Sequence, residues 1–153
     1  MNVLITGTSQ GIGKAVAEIF LRNGHRVHGI DRQDASVVDG AYTHYRCDVR
    51  DSDNLPDISD VEILVNNAGT QNENDIDINL KALIGITEKY GVQDKIRSVL
   101  NIGSASGHTG SEFPEPRAKL SAIVAHALYR PINVMPNLRA AKDELTIWLS
   151  KSP

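Results

Sequence analysis

The chain has 153 residues, 41% of them apolar and 23% charged, with a net charge of −3. That length suits one domain with a real core, and the composition is that of a globular chain in water. No basic block favours nucleic acid or an anionic membrane surface, no apolar run is long enough to span a bilayer, and the single cysteine, Cys47, has no internal disulfide partner. A first strand beginning at Asn2 leaves no room for the charged and apolar regions of a secretory leader, so a cytoplasmic protein is expected.

Short β-branched runs alternate with segments of helical period. "NVLIT" reads as the first strand, and Ile12, Val16, Ile19 and Phe20 mark one face of the helix after it. Asn23-Gly24 stops that helix. "RVHGID" and "YTHYRCDV" are the second and third strands. "DSDNLPDISD" is polar with one proline and reads as a loop or a poor helix. "VEILVNN" is the fourth strand, and Ile76, Leu80, Leu83 and Ile84 give a second helix ending at Gly91. "RSVLNIGS" is the fifth strand. Leu120, Val124, Ala127 and Leu128 give a third helix, stopped before Pro131. "INVM" is a candidate sixth strand, and Asn137 caps a last helix with Leu138, Ala141, Leu145 and Trp148 on its apolar face. The alternation predicts an α/β fold: a Rossmann-like, doubly wound parallel sheet of about six strands with helices on both faces. Ligands of such sheets bind outside the carboxyl ends of the strands.

The turn "TGTSQGIG" falls at such an end. Gly7 allows the sharp turn out of the strand, Gly11 lets backbone approach a diphosphate, and Gly13 permits close packing of helix on strand. Ser9, Gln10 and Ile12 complete the loop, whose helix aims free N–H groups and a positive dipole end at an anion. Asp31 closes the second strand, where an acid accepts hydrogen bonds from the adenosine ribose and repels a 2′-phosphate. NAD is therefore expected over NADP. Arg32 beside it is either a solvated loop residue or a receiver for a 2′-phosphate, and Asp31 itself has the alternative of a plain turn former.

Two spaced motifs carry a family resemblance. "TGTSQGIG" together with "NNAG" (Asn66, Asn67, Ala68, Gly69) resembles the short-chain dehydrogenase/reductase family, convincingly over about residues 1–110. The resemblance implies one NAD-binding domain over 1–153, family-like to 110 and divergent or shortened over 111–153. It implies that Asp48 and Val49 of "CDV" meet the adenine, that Asn67, Ala68 and Gly69 belong to the cofactor site, and that Asn79 of "DINLKA" and Ser104 of "LNIGSASG" are catalytic. Taken alone, Asn79 reads as a surface residue beside an apolar stripe, and Ser104 as a loop serine among small neighbours. The implied activity is NAD(H)-dependent oxidation or reduction of a small alcohol or ketone, in a homodimer paired through "INLKALIGITEKYG" and "AKLSAIVAHALYR".

The family's proton donor is a tyrosine with a lysine four residues later, and no Tyr-x-x-x-Lys occurs here. Alignment on "AKLSA" places Lys119 at the lysine position and Glu115 at the tyrosine's; counting from Ser104 places Arg117 there instead. Lys119 is thus a candidate catalytic, ribose-binding lysine or an exposed residue of a first helical turn. A glutamate of ordinary pKa ~4.3 holds no proton at neutral pH, and losing a general acid costs ~10²–10⁴-fold in rate. The gap between "NNAG" and Asn79 is brief, and the tail is short. The alternative function is an NAD(H)-binding protein, acting as sensor, subunit or remnant, that keeps the nucleotide pocket without catalysis. No metal is expected.

Overall fold

The computed structural model describes residues 1–70, 74 and 76–103. Among them five strands form one parallel sheet. β1 (Asn2–Thr6) lies at its centre, with β2 (Arg26–Asp31) and then β3 (Tyr42–Arg46) on one side. On the other side come β4 (Ile63–Asn66) and then β5 (Ser98–Asn101). The order is therefore β3-β2-β1-β4-β5. The chain moves outward from β1 through β2 and β3, then jumps back to the other side for β4. That reversal opens a crevice at the carboxyl ends of β1 and β4. Register puts Ile5 between Gly29 and Val65, and Thr6 opposite Ile30.

Strand alternation divides the core into two layers, as period-2 side chains require. Val3 and Ile5 of β1 join Val27, Val65 and Ala17 on one face. Leu4 joins Ile30, Leu64, Ile86 and Tyr90 on the other. The first layer is covered by α1 (Gly11–Arg22) and the second by α2 (Leu83–Tyr90). Strands buried on both faces read as continuous apolar runs, which is why "NVLIT" and "RVHGID" match β1 and β2 residue for residue. The doubly wound parallel sheet is thus present, and the candidate sixth strand, third helix and last helix lie outside the described residues.

Several local expectations are corrected. In α1 the residues turned to the sheet are Gly13 and Ala17, while Ile12 and Ile19 stand 61% and 50% exposed. Small residues four apart let the helix sit close on the strands, so bulkier Val16, Phe20 and Leu21 pack at its flanks. The second helix starts as a wide π-helical segment, Ile76–Ala82, that runs into α2. Its wider turn changes the phase, and the buried positions become Ala82, Ile86 and Tyr90. The polar stretch "DSDNLPDISD" is a loop, as expected, with a single 3₁₀ turn, Ser52–Asn54, and it places Leu55 and Ile58 in the core. α1 ends as expected, with Gly24 at φ +75° and the Gly24 N–H donating to the Leu21 carbonyl.

Candidate functional site

The glycine turn is built by exclusion of side chains. Gly7 has φ +77°, a left-handed backbone open to glycine, and its N–H donates to the Ile30 carbonyl at 2.8 Å. A Cβ on Gly13 would run into the Gly7 carbonyl oxygen and Asn67 Nδ2. Gly11, at φ +58°, has open space where its Cβ would stand. Gln10 precedes α1 without a side-chain cap, and the helix's first turn carries no acid. The opening N–H groups of that turn have no acceptor within the helix, and no carboxylate of its own offsets the positive dipole end.

Asn67 fastens this turn to the end of β4. Its Nδ2 donates to the Thr6 carbonyl at 2.9 Å and the Gly7 carbonyl at 3.1 Å. The Asn67 and Ala68 N–H groups both donate to Thr6 Oγ1 at 3.0 Å. Both amide hydrogens of Asn67 are therefore committed to protein backbone. Asn66, the other amide of the pair, donates to Thr87 Oγ1 and Asn101 Oδ1, each at 2.9 Å, and so ties β4 to α2 and β5. The side-chain nitrogens of both amides are thus engaged within the protein, while Asn66 Oδ1 is buried without a hydrogen-bond partner among the described residues.

At the end of β2 the Asp31 carboxylate is held by two backbone donors. Ser9 N–H reaches Oδ2 and Gln33 N–H reaches Oδ1, both at 2.9 Å. Each oxygen retains a further acceptor site, and the side chain is only partly buried. Beyond β3, Arg50 grips Asp48 through Nε (3.0 Å), Nη2 (2.7 Å) and its backbone N–H (3.0 Å). These hydrogen bonds hold the Asp48 carboxyl below the usual carboxylate range. Burial, with Asp51 and Asp48 nearby, pushes the Cys47 thiol up.

The opposite wall follows β4. Asn79 and Thr70 form a reciprocal pair: Thr70 N–H donates to Asn79 Oδ1 at 2.9 Å, and Asn79 Nδ2 donates to the Thr70 carbonyl at 2.8 Å. Asn79 sits within the π-helical segment, a wide turn common at functional sites. It is half-buried, which corrects the surface reading that its helix stripe suggested.

Between these walls lies a cleft of about 240 Å³ at the carboxyl ends of the strands. Of the residues singled out in the sequence, Gly7, Gln10, Asp31, Arg32 and Asp48 line it, as do Val49, Asn67, Ala68 and Gly69. Ser9, Gly11, Ile12 and Gly13 do not: Ser9 acts behind Asp31 through its N–H, Gly13 is packed behind the turn, and Ile12 faces outward. Ser104 and Lys119 lie outside the described residues, as do Glu115 and Arg117. Sequence reasoning missed Gln33, Thr70 and Ile78 on the cleft wall, and Thr6 beneath it. Thr70 directly follows "NNAG", a signal available in the sequence. Thr6 carried none, because its role is a bond to residues 61 positions away.

A parallel sheet reversing at β1, with a glycine-cradled helix end and a strand-end acid at the crevice, defines a fold that binds nicotinamide dinucleotides. The description of the short chain dehydrogenases matches residues 1–113, and the chain belongs to that family of oxidoreductases. It is 31% identical to an uncharacterized oxidoreductase of Schizosaccharomyces pombe, over 95% of this chain and 67% of that one. The alignment runs over 176 positions, more than the 153 residues present, so that relative carries segments with no counterpart here. The chain is 27% identical to the 3-oxoacyl-[acyl-carrier-protein] reductase of Thermotoga maritima, over 71% of its own length and 57% of the relative's. It thus spans between about half and two thirds of the curated relatives it matches. Two solved structures share the fold, each at 23% identity and TM-score 0.66. One is 4-hydroxyisoleucine dehydrogenase complexed with NADH, matched over 83% of this chain and 64% of that one. The other is a closed form of serine dehydrogenase complexed with NADP+, matched over 84% and 63%.

Proposed function

We propose that this chain is an NAD(H)-dependent oxidoreductase acting on a small alcohol or ketone. The observation that carries the cofactor choice is Asp31: a strand-end carboxylate on the cleft wall, fixed by two backbone donors and with acceptor sites to spare. Sugar hydroxyls donate to such a group, and a 2′-phosphate is repelled by it. In this reading Gly7, Ser9, Gln10, Gly11, Ile12 and Gly13 shape the diphosphate seat, and a bound diphosphate replaces the missing cap of α1. Asp48 and Val49 flank the adenine, and Asn67, Ala68 and Gly69 form the edge toward the nicotinamide. The bound nicotinamide supplies or takes up the hydride. In the same reading Ser104 holds the substrate oxygen, Lys119 holds the ribose, and Asn79 is the third catalytic residue. We further read the protein as a cytoplasmic homodimer, which solution mass by light scattering tests.

The sequence has no tyrosine four residues before a lysine, and that observation favours a second reading: a protein that binds NAD(H) without turnover. Calorimetric titration with NAD+ and NADH, paired with an NADH assay over a panel of ketones, separates the two. Binding with turnover supports the enzyme. Binding without turnover supports the second reading, and absence of heat with either nucleotide defeats both.

A further inference from the structure

Three residues on one face of β3, at alternate positions, brace the loop that follows β2. Tyr42 Oη lies 2.8 Å from Thr8 Oγ1 and 2.8 Å from His44 Nδ1. His44 Nε2 lies 2.9 Å from the Gln33 carbonyl. Arg46 Nε donates to the Arg32 carbonyl at 3.3 Å, and its guanidinium pairs with Asp34 at 3.0 Å. Gly29 makes the first link possible, because a Cβ there would collide with Tyr42 Oη.

The hydrogens in this chain have a fixed sense when His44 is neutral. The Gln33 carbonyl only accepts, so His44 Nε2 carries the hydrogen and Nδ1 is the acceptor. Tyr42 then donates to Nδ1 and accepts from Thr8. The chain begins at Thr8, fully buried in the glycine turn, and ends on Gln33, whose N–H holds Asp31 Oδ1. Ser9, next to Thr8, holds Asp31 Oδ2. These hydrogen bonds, joined through the Thr8–Ser9 and Gln33 backbone, close a ring of which the acid is a member, and neither Tyr42 nor His44 is on the cleft wall.

We propose that Tyr42 and His44 are positioning residues for cofactor choice: through Gln33 they hold the Asp31–Gln33 turn so that the carboxylate, rather than the Arg32 guanidinium, meets the adenosine ribose. The proposal rests on the reading of Asp31 as the ribose acid. Loss of the brace frees the turn, weakens the acid's hold on the ribose hydroxyls and lets Arg32, already on the cleft wall, compete for a 2′-phosphate. The role lies outside the family motifs in the sequence and comes from a tyrosine and a histidine two residues apart on a strand.

The test is calorimetric titration of the full chain and of Tyr42→Phe and His44→Ala with NAD+ and NADP+, with a melting curve for each protein. His44 is partly exposed on the edge strand, so its variant keeps the question open to measurement should Tyr42→Phe unfold. The expected result is a loss of about five- to tenfold in NAD+ affinity in each variant, the worth of one hydrogen bond. NADP+ affinity holds or improves, so the ratio between the two cofactors falls. Because both residues act in one chain, the double variant falls no further than the weaker single one. Equal losses for the two cofactors, or an unchanged ratio, overturn the positioning role while leaving the reading of Asp31 intact. A parent chain that binds neither nucleotide, or prefers NADP+, overturns both.

Discussion

Gly13 and Gly11 stand two residues apart, and a methyl group added to each has a different consequence. At Gly13 the new carbon meets the Gly7 carbonyl and the Asn67 amide, so the turn, the helix and the end of β4 all have to give. Gly13→Ala is expected to cost about 1–3 kcal/mol, read from the urea midpoint, and to abolish nucleotide binding. At Gly11 space is open and only the left-handed backbone resists, for about 1–2 kcal/mol. A Gly13→Ala protein that binds nucleotide normally would contradict the account of the cradle. Asp48 and Arg50 give a pH-dependent case. The folded carboxyl titrates below its ordinary value, so its contribution is present above about pH 4 and vanishes as pH falls through the lowered value. Arg50→Gln and the parent chain are therefore expected to share urea midpoints once the pH is below that lowered value and to separate toward pH 7. The gap narrows in salt, because the pair is partly exposed. At this scale the sequence revealed residues whose chemistry is local. Gly7, Gly13 and Asp31 are set by the turn they occupy. Thr6 and Tyr42 stayed hidden, since an ordinary threonine and an ordinary strand tyrosine acquire their roles only when distant segments meet.

The link between β3 and β4 is the loop its polarity announced, and it still buries apolar side chains. Its one proline and its acids mark a loop, yet Leu55, Ile58 and Val61 are buried beneath α2. Three side chains near the end of α2 secure it: Tyr90 Oη donates to the Pro56 carbonyl at 2.6 Å, Lys89 Nζ to the Leu55 carbonyl at 2.8 Å, and Gln93 Nε2 to the Ile58 carbonyl at 2.7 Å. Tyr90 is fully buried, and burial pushes its phenol far above the ordinary value, so it stays a neutral donor. Tyr90→Phe leaves the Pro56 carbonyl without this donor and is expected to cost about 1 kcal/mol, seen as a lower urea midpoint with an unchanged slope. No loss of stability would mean that water takes the phenol's place. The strands were legible where apolar content is continuous, as in β1 and β2. β3 and β4 end earlier than the strands read from the sequence, because the residues that follow turn out toward the cleft: Cys47, Asp48 and Asn67 line it. The phase of α2 was not legible, since a π-helical start shifts the stripe by part of a turn, and periodicity arguments assume a constant turn.

Across the whole molecule the cleft joins the two sides of the sheet. One wall comes from β1, β2 and β3 through Gly7, Asp31 and Asp48, the other from β4 through Ala68, Gly69 and Thr70. A ligand that binds this cleft, and not the unfolded chain, stabilises the fold according to its concentration relative to its dissociation constant. Fold class and the position of this cleft were legible because strand–helix alternation and one glycine turn fix the topology; the substrate was not, because its contacts belong to loops with no such rule. The consequence is a graded thermal response. At a hundredfold excess over its dissociation constant a ligand adds about 2.7 kcal/mol, and for a chain of this size that raises the melting temperature by roughly 5–10 °C. NAD+ is expected to produce that shift, ADP-ribose most of it, and nicotinamide alone none, since the grip resides in the diphosphate seat and the ribose acid. In Asp31→Ala the shift at the same NAD+ concentration is expected to shrink while the ligand-free melting temperature moves far less. A parent chain whose melting is indifferent to NAD+ at millimolar concentration would show that the two walls do not close on a dinucleotide.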